Sequence, residues 1–353
     1  MIGRYTVIPS PELDALLDSA LAEIARELET IRTGGRLVCV VLGGGYGRGE
    51  GGVLHTASGD RLYNDLDFFV FTDGANRRMQ QKIGRQLRGI GERWEKKLGV
   101  AVDFSPAKNL DTLPRVGYTL MFQELRHGWK PIWGEADFLS RIPELDPACL
   151  PYTEAVRLLL NRGMGLVFAG ERLAAGRGEE EADFVVRNMN KAVLGCGDAL
   201  LLTAGKYCWR GEDRVQAFFL FAEECGLPRD FAEEYETAFR FKLEPTPVLP
   251  PDPRLRWLEC RDFYLDSVRR VAGTGSGAKI AEVKAGLRQH AADARSMKHF
   301  LRWLLRAKGV RPAGCRTEDP VVTVLCELLD LLETGGEYPP CPRKLYDLWS
   351  KFN

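Results

Sequence analysis

Seven glycines fall within ten residues, Gly43 to Gly52, directly after the apolar run Leu37-Val-Cys-Val-Val-Leu42. An uninterrupted apolar, β-branched run of this length reads as a strand buried on both faces. Such a strand cannot continue through a segment that packs no side chains and loses the most backbone freedom on ordering. The chain must therefore leave a buried strand at Leu42 and enter a loop with bare backbone amides. Such a loop is the kind of concavity that accepts a phosphate chain. Arg48 adds a planar cation suited to phosphate oxygens. Glycine richness equally marks a flexible surface turn, so the meaning of the loop depends on its neighbours.

The next apolar run is Asp65-Leu-Asp-Phe-Phe-Val-Phe-Thr72. Residues two apart on a strand share a face, so Asp65 and Asp67 would stand side by side while Leu66 and Phe68 point the other way. Two carboxylates so placed repel unless a cation lies between them. Asp65 alone could be a turn residue after Asn64. Asp67 has no such explanation, because an unpartnered carboxylate inside an apolar strand costs several kcal/mol. A metal or a salt bridge is demanded, and hard oxygen ligands suit Mg2+ or Mn2+. Asp103, within the third strand Val100-Ala-Val-Asp-Phe-Ser105, is positioned to join them from a neighbouring strand.

Two familiar phosphate motifs fail on context. Gly47-Arg-Gly-Glu-Gly-Gly52 fits G-x-G-x-x-G, with Asp67 twenty residues after Gly47, as a dinucleotide site would want. Yet the strand ends too early, and Val53 to Tyr63, broken at Ser58-Gly59, cannot supply the helix that should hold the pyrophosphate. That segment reads instead as a small hairpin with its turn at Ser58-Gly59-Asp60. No Gly-Lys-Ser/Thr follows the loop, which removes the P-loop reading.

Around these motifs the first 145 residues assemble into a compact α+β unit on a small mixed sheet. Ser10-Pro11-Glu12 starts an amphipathic helix that repeats Leu13, Leu17, Leu21, Ile24, Leu28 and Ile31 until Gly34-Gly35. A second helix, rich in Arg and Lys, runs from about Asn76 to Leu98. Lys130-Pro-Ile-Trp-Gly134 adds a short strand. Pro147 and Pro151 mark a boundary, and residues 146–353 read as a mainly helical domain. Its helices are expected at Thr153 to Phe168, Glu181 to Ala204, Asp213 to Glu224, Leu255 to Val271, Ala278 to Lys308 and Pro320 to Leu332. The proline-rich stretch 245–253 separates two helical groups.

Lysine plus arginine and aspartate plus glutamate both number 49, so no global basic field draws the chain onto nucleic acid. The absence of an apolar leader in Met1 to Ser10, and of any apolar run of about 18 residues, points to a cytoplasmic protein without a membrane partner. Nine cysteines occur without a Cys-x-x-Cys pair, and neither a zinc site nor a disulfide framework is expected.

Taken together, Gly44-Gly-Tyr-Gly-Arg-Gly-Glu50 and Asn64-Asp-Leu-Asp-Phe68 resemble the signature of the DNA polymerase β-like nucleotidyltransferase superfamily. The loop is most similar to that of the nucleotidyltransferase domain of the bacterial signal-protein uridylyltransferase. The likeness covers residues 35–106. It implies a polymerase β-like fold and transfer of a nucleoside monophosphate from a nucleoside triphosphate to an acceptor hydroxyl, with pyrophosphate leaving. On this resemblance Asp65, Asp67 and Asp103 hold two Mg2+ or Mn2+ ions, Asp103 also helps activate the acceptor, and Gly44 and Gly45 bind the triphosphate with Arg48 nearby. The sequence departs from the pattern in its long interval from Gly45 to Asp65, so Gly51 to Tyr63 reads as an insertion. None of the four histidines precedes an aspartate, so the nucleotide-removing reaction of that uridylyltransferase's hydrolase domain is not expected.

Helical domains beside such catalytic units often lend the triphosphate a basic residue, and Lys191, in Arg187-Asn-Met-Asn-Lys191, is the candidate here. The basic helix from Arg77 to Lys97 and the run from Lys284 to Arg311, interleaved with Phe300 and Trp303, read as solvated faces. The favoured acceptor is a small molecule or a protein. An RNA end and a non-catalytic nucleotide-binding module are the alternatives.

Overall fold

The computed structural model describes residues 5–31, 34, 36–116, 118–292 and 319–352. The chain divides into two units: residues 1–145 with Arg240–Thr246, and Asp146–Phe239 with 247–353.

The first unit opens with α1 (Pro11–Glu29). Ser10 caps it, its hydroxyl accepting from the Leu13 amide, and Pro11 occupies the first turn, where no amide partner is needed. The helix stops short of the expected Gly34-Gly35. There follow β1 (Leu37–Leu42), α2 (Gly44–Arg48), β2 (Val53–Thr56), β3 (Gly59–Leu62) and β4 (Leu66–Thr72). Next come α3 (Arg77–Leu98), β5 (Val102–Phe104), β6 (Lys108–Asn109), α4 (Leu113–Val116), α5 (Leu120–His127) and β7 (Lys130–Gly134). Strands β2 and β3 form the separate hairpin expected from the sequence, with its turn at Ala57-Ser58.

The main sheet has the order β5-β4-β1-β7, with β6 also on β4. Both β1 pairings are antiparallel, while β4 runs parallel to β5 and β6, so the sheet is mixed. Helices cover both faces, which is why β1 and β4 read as continuous apolar runs. Val40, Leu42, Leu66, Phe68 and Val70 meet Leu17, Ile24 and Leu28 of α1 and Ile83, Leu87 and Trp94 of α3. Cys39, Val41, Phe69 and Phe71 meet Phe122, Leu125 and Phe138 on the other side. An irregularity between Leu37 and Cys39 breaks the alternation, which lets Leu37 share the first core with Val40.

The second unit comprises α6 (Tyr152–Ala174), α7 (Ala182–Thr203), α8 (Gly211–Glu224), most of α9 (Arg229–Leu243), α10 (Pro253–Val271), α11 over residues 280–292, α12 (Pro320–Thr334) and α13 (Arg343–Trp349). Glycines let α6 receive large rings: a Cβ on Gly163 would stand 2.4 Å from Tyr264 Oη, and one on Gly170 3.1 Å from Trp257. Tyr264 and Trp257 then donate to the Leu159 and Leu166 carbonyls. Asp198, inside the apolar α7, accepts from Tyr235 Oη at 2.6 Å and lies 3.3 Å from Arg214. These partners account for a carboxylate there without a ligand.

The described cysteines are all free, and burial pushes the Cys39 and Cys260 thiols up to about 12, so they behave as inert core residues. No described helix is long and apolar enough to cross a membrane. Most of the basic run 284–311, with Phe300 and Trp303, lies outside the described residues. Within it, Lys284 pairs with Asp330.

Candidate functional site

The parallel ladder of β4 and β5 pairs Leu66 with Val102, Asp67 with Asp103, and Phe68 with Phe104. Phe68 and Phe104 stack at 4.7 Å between ring centres on the side of the α1–α3 core. By the strand alternation, Asp67 and Asp103 lie beside one another on the opposite side, on strands about 4.8 Å apart. Asp67 is half-buried and Asp103 exposed. Asp65 sits one residue ahead of β4 in irregular backbone, so its shared face with Asp67 does not follow from strand geometry. Among the described residues no group of three or more His, Cys, Asp or Glu side chains is arranged to hold a metal ion. The register thus joins two of the three sequence-predicted carboxylates.

The glycine run lies against this pair. The Gly43 amide donates to the Asp67 carbonyl at 2.8 Å. At Gly44 the backbone adopts φ +59°, and a Cβ there would stand 2.1 Å from Asp67 Oδ2. Only glycine satisfies both conditions. The segment expected as an open loop is instead a single helical turn, α2. Its Gly47 amide returns to the Gly43 carbonyl, and Gly49 closes it at φ +78°. The reason is close packing: Tyr46 is fully buried, and Gly47 presses on the Leu42 carbonyl, where a Cβ would come within 2.4 Å. The amides of Gly44 and Gly45, in the first turn, have no intrahelical acceptor.

The insertion is tied off at its base. Tyr46 Oη donates to the Gly52 carbonyl at 2.8 Å and accepts from the Tyr63 amide at 2.9 Å. Asn64 Oδ1 accepts from the Gly52 amide at 2.6 Å. Residues 53–62 can thus project as the β2–β3 hairpin without disturbing the interval between loop and strand. Burial, opposed by hydrogen bonds from the Tyr63 and Asn64 backbone amides and aided by the Asp65 charge, pushes the Tyr46 phenol up to about 12.

Charge around the loop is already balanced. Arg48 lies 3.7 Å from Glu50 and 3.3 Å from Glu124, and Lys242 meets buried Glu50 at 3.0 Å. Sequence reading missed Lys242, which sits at the end of α9 among the residues grouped with the first unit. The visible signal was a basic last turn before the proline-rich stretch. Lys191 is half-buried on α7 of the second unit.

What residues 43–52 and the Asp67–Asp103 pair can do together is present two hard anionic ligands next to bare backbone amides. Such a donor set fits Mg2+ or Mn2+, which keep several waters and share substrate phosphates rather than requiring an all-protein cage. Comparison with protein-family models, with curated proteins and with solved structures finds no match to this chain.

Proposed function

We propose that the chain is a metal-dependent nucleotidyltransferase with a polymerase β-like catalytic unit, moving a nucleoside monophosphate from a nucleoside triphosphate to a hydroxyl of a small molecule or protein. One observation carries the reading: the backbone of Gly44 lies in contact with the Asp67 carboxylate, which has Asp103 as its ladder partner. A phosphate-accepting backbone and a cation-accepting pair then meet at one point, as a metal-bound triphosphate requires.

The reaction this supports is an in-line displacement. The acceptor oxygen forms a bond to the α-phosphorus, the bond from that phosphorus to the bridging oxygen breaks, and pyrophosphate leaves with the electron pair. Asp103, the more exposed carboxylate, would take the proton of the acceptor hydroxyl. Amides of Gly44 and Gly45 would hold the triphosphate, and Arg48 would join by exchanging Glu50 or Glu124 for a phosphate oxygen. Divalent ions held by Asp67, Asp103 and Asp65 would supply the charge that stabilises the attacking and leaving oxygens. Lys242 would keep Glu50, and through it Arg48, in position.

Mn2+ titration in the presence of a non-hydrolysable nucleoside triphosphate analogue tests this reading. Asp67→Asn is expected to weaken Mn2+–nucleotide binding at least tenfold. Equal affinity in parent and variant would refute it.

A further inference from the structure

Between α3 and the outer side of β5 the first unit carries an open groove of about 860 Å3. One wall is the helix stripe through Arg77, Gln81, Gly84, Arg85 and Arg88, and the other is the chain from Val102 to Ala107. The sheet edge here does not accept a further strand. Gly91 brings the helix backbone onto the Val102 carbonyl, where a Cβ would stand 2.4 Å away, and Pro106 offers no N–H. A ligand must therefore be held largely by side chains.

Those side chains are sorted by charge. Arg77, Arg85 and Arg88 are exposed and, among the described residues, have no carboxylate within ion-pair distance. Beyond Gly91 the helix wall of the groove carries Glu92 and Glu95. Guanidinium groups grip carboxylates and phosphates in paired hydrogen bonds. A continuous phosphate backbone, however, would run onto Glu92 and Glu95. Phe104, the aromatic side chain lining the groove, has one face stacked on Phe68. A peptide with acidic residues at one end and basic residues at the other matches both halves.

Gly84 points the same way. A glycine inside a helix is destabilising relative to alanine, yet no protein atom comes within 4 Å of where its Cβ would be. Nothing in the described fold requires a glycine there, and its effect is to keep the middle of the groove open.

We propose that this groove docks an extended peptide segment of a partner protein, acidic toward Arg77, Arg85 and Arg88 and basic toward Glu92 and Glu95. Asp103 borders both the groove and the carboxylate pair, so the segment would belong to a protein acceptor; that acceptor role rests on the nucleotidyltransferase reading, whereas the docking does not.

The test is fluorescence anisotropy of the full chain at low ionic strength. The probes are labelled synthetic peptides carrying a glutamate block, a neutral spacer and a lysine block, in both block orders, with labelled oligouridylate alongside. One block order is expected to bind saturably. Binding should weaken at least tenfold in Arg85→Glu/Arg88→Glu and at least fivefold in Gly84→Leu, which fills the groove without changing charge. Circular dichroism should show both variants folded. Asp67→Asn should bind the peptide as the parent does, separating this inference from the nucleotide site. Absence of saturable peptide binding, undiminished binding by both groove variants, or tighter binding of oligouridylate would overturn the proposal, the last by assigning the groove to nucleic acid.

Discussion

At Gly44 two constraints coincide, a left-handed backbone and a neighbouring carboxylate, and they can be separated by experiment. Gly226 has the same conformation, φ +62°, with nothing within 4 Å of a Cβ. Gly226→Ala should therefore cost only the conformational part, about 1–2 kcal/mol. Gly44→Ala should cost more in urea unfolding, because its Cβ must displace the Asp67 carboxylate 2.1 Å away. Equal costs would contradict the contact. Tyr46→Phe removes a hydroxyl that serves Gly52 and Tyr63 at once. Two buried backbone groups lose their partner, and a loss of about 1–3 kcal/mol is expected; a change below about 0.5 kcal/mol would show the insertion is anchored otherwise. At this scale the sequence was informative about identity and silent about contact. A lone aspartate amid Leu-Asp-Phe-Phe-Val announced a polar partner, and the glycine run announced close backbone approach. That the two requirements meet each other, Gly44 on Asp67, depends on the turn of α2, which a run of glycines does not encode.

Among the elements, the β2–β3 hairpin is tethered to the start of α1. His55 Nδ1 meets Asp60 Oδ1 at 2.6 Å, His55 Nε2 lies 3.3 Å from Glu244, and Asp60 Oδ2 accepts from Ser10 at 2.7 Å. The hydrogen bond to Asp60 raises the His55 pKa above its ordinary 6.5, and the bond from Ser10, then that from His55, lowers Asp60 below its ordinary 3.8. The imidazolium contribution is complete below 6.5 and is lost as pH rises through the raised value. The Asp60 contribution is present above 3.8 and is lost as pH falls through the depressed value. Urea midpoints should therefore decline on the alkaline side of 6.5, modestly because His55 is exposed and salt screens it, and His55→Gln should abolish that decline. A parent whose midpoint is flat between pH 6 and 9 would contradict the tether. Elements with strong patterns were legible: α1 by its leucine repeat, α3 by its basic amphipathic run capped at Asn76, β1 and β4 by their unbroken apolar stretches. Helix α9 was not, because its buried stripe is Ala232, Tyr235, Ala238 and Phe239, small and aromatic residues set among charges rather than Leu, Ile or Val. Helix α5, barely two turns long, offered too short a period to detect.

For the molecule as a whole, the decisive event is topological. Asp67 and Asp103 are separated by the whole of α3, and the β4–α3–β5 crossover returns the chain in a register that makes them direct neighbours. The strand positions were readable from the sequence, since each carboxylate stood in a short apolar run. The register was not, since it is fixed by how Ile83, Leu87, Ile90 and Trp94 seat α3 on the sheet. Lys242 shows the same limit more sharply: it joins the loop at Glu50 from almost two hundred residues away in sequence, a distance over which periodicity and motif spacing say nothing. The neutral total charge likewise concealed a local order, with arginines and carboxylates sorted along one groove.

Nucleotidyl transfer is proposed for the Gly44–Asp67–Asp103 arrangement. Pyrophosphate release from each nucleoside triphosphate, with Mg2+ or Mn2+ and a cell extract as the source of acceptor, measures it most directly. Metal-dependent release is expected with one or more nucleotides, reduced at least a hundredfold in both Asp67→Asn and Asp103→Asn while the fold is kept. Release that is unchanged in both variants, or absent with every nucleotide and both metals, would contradict it.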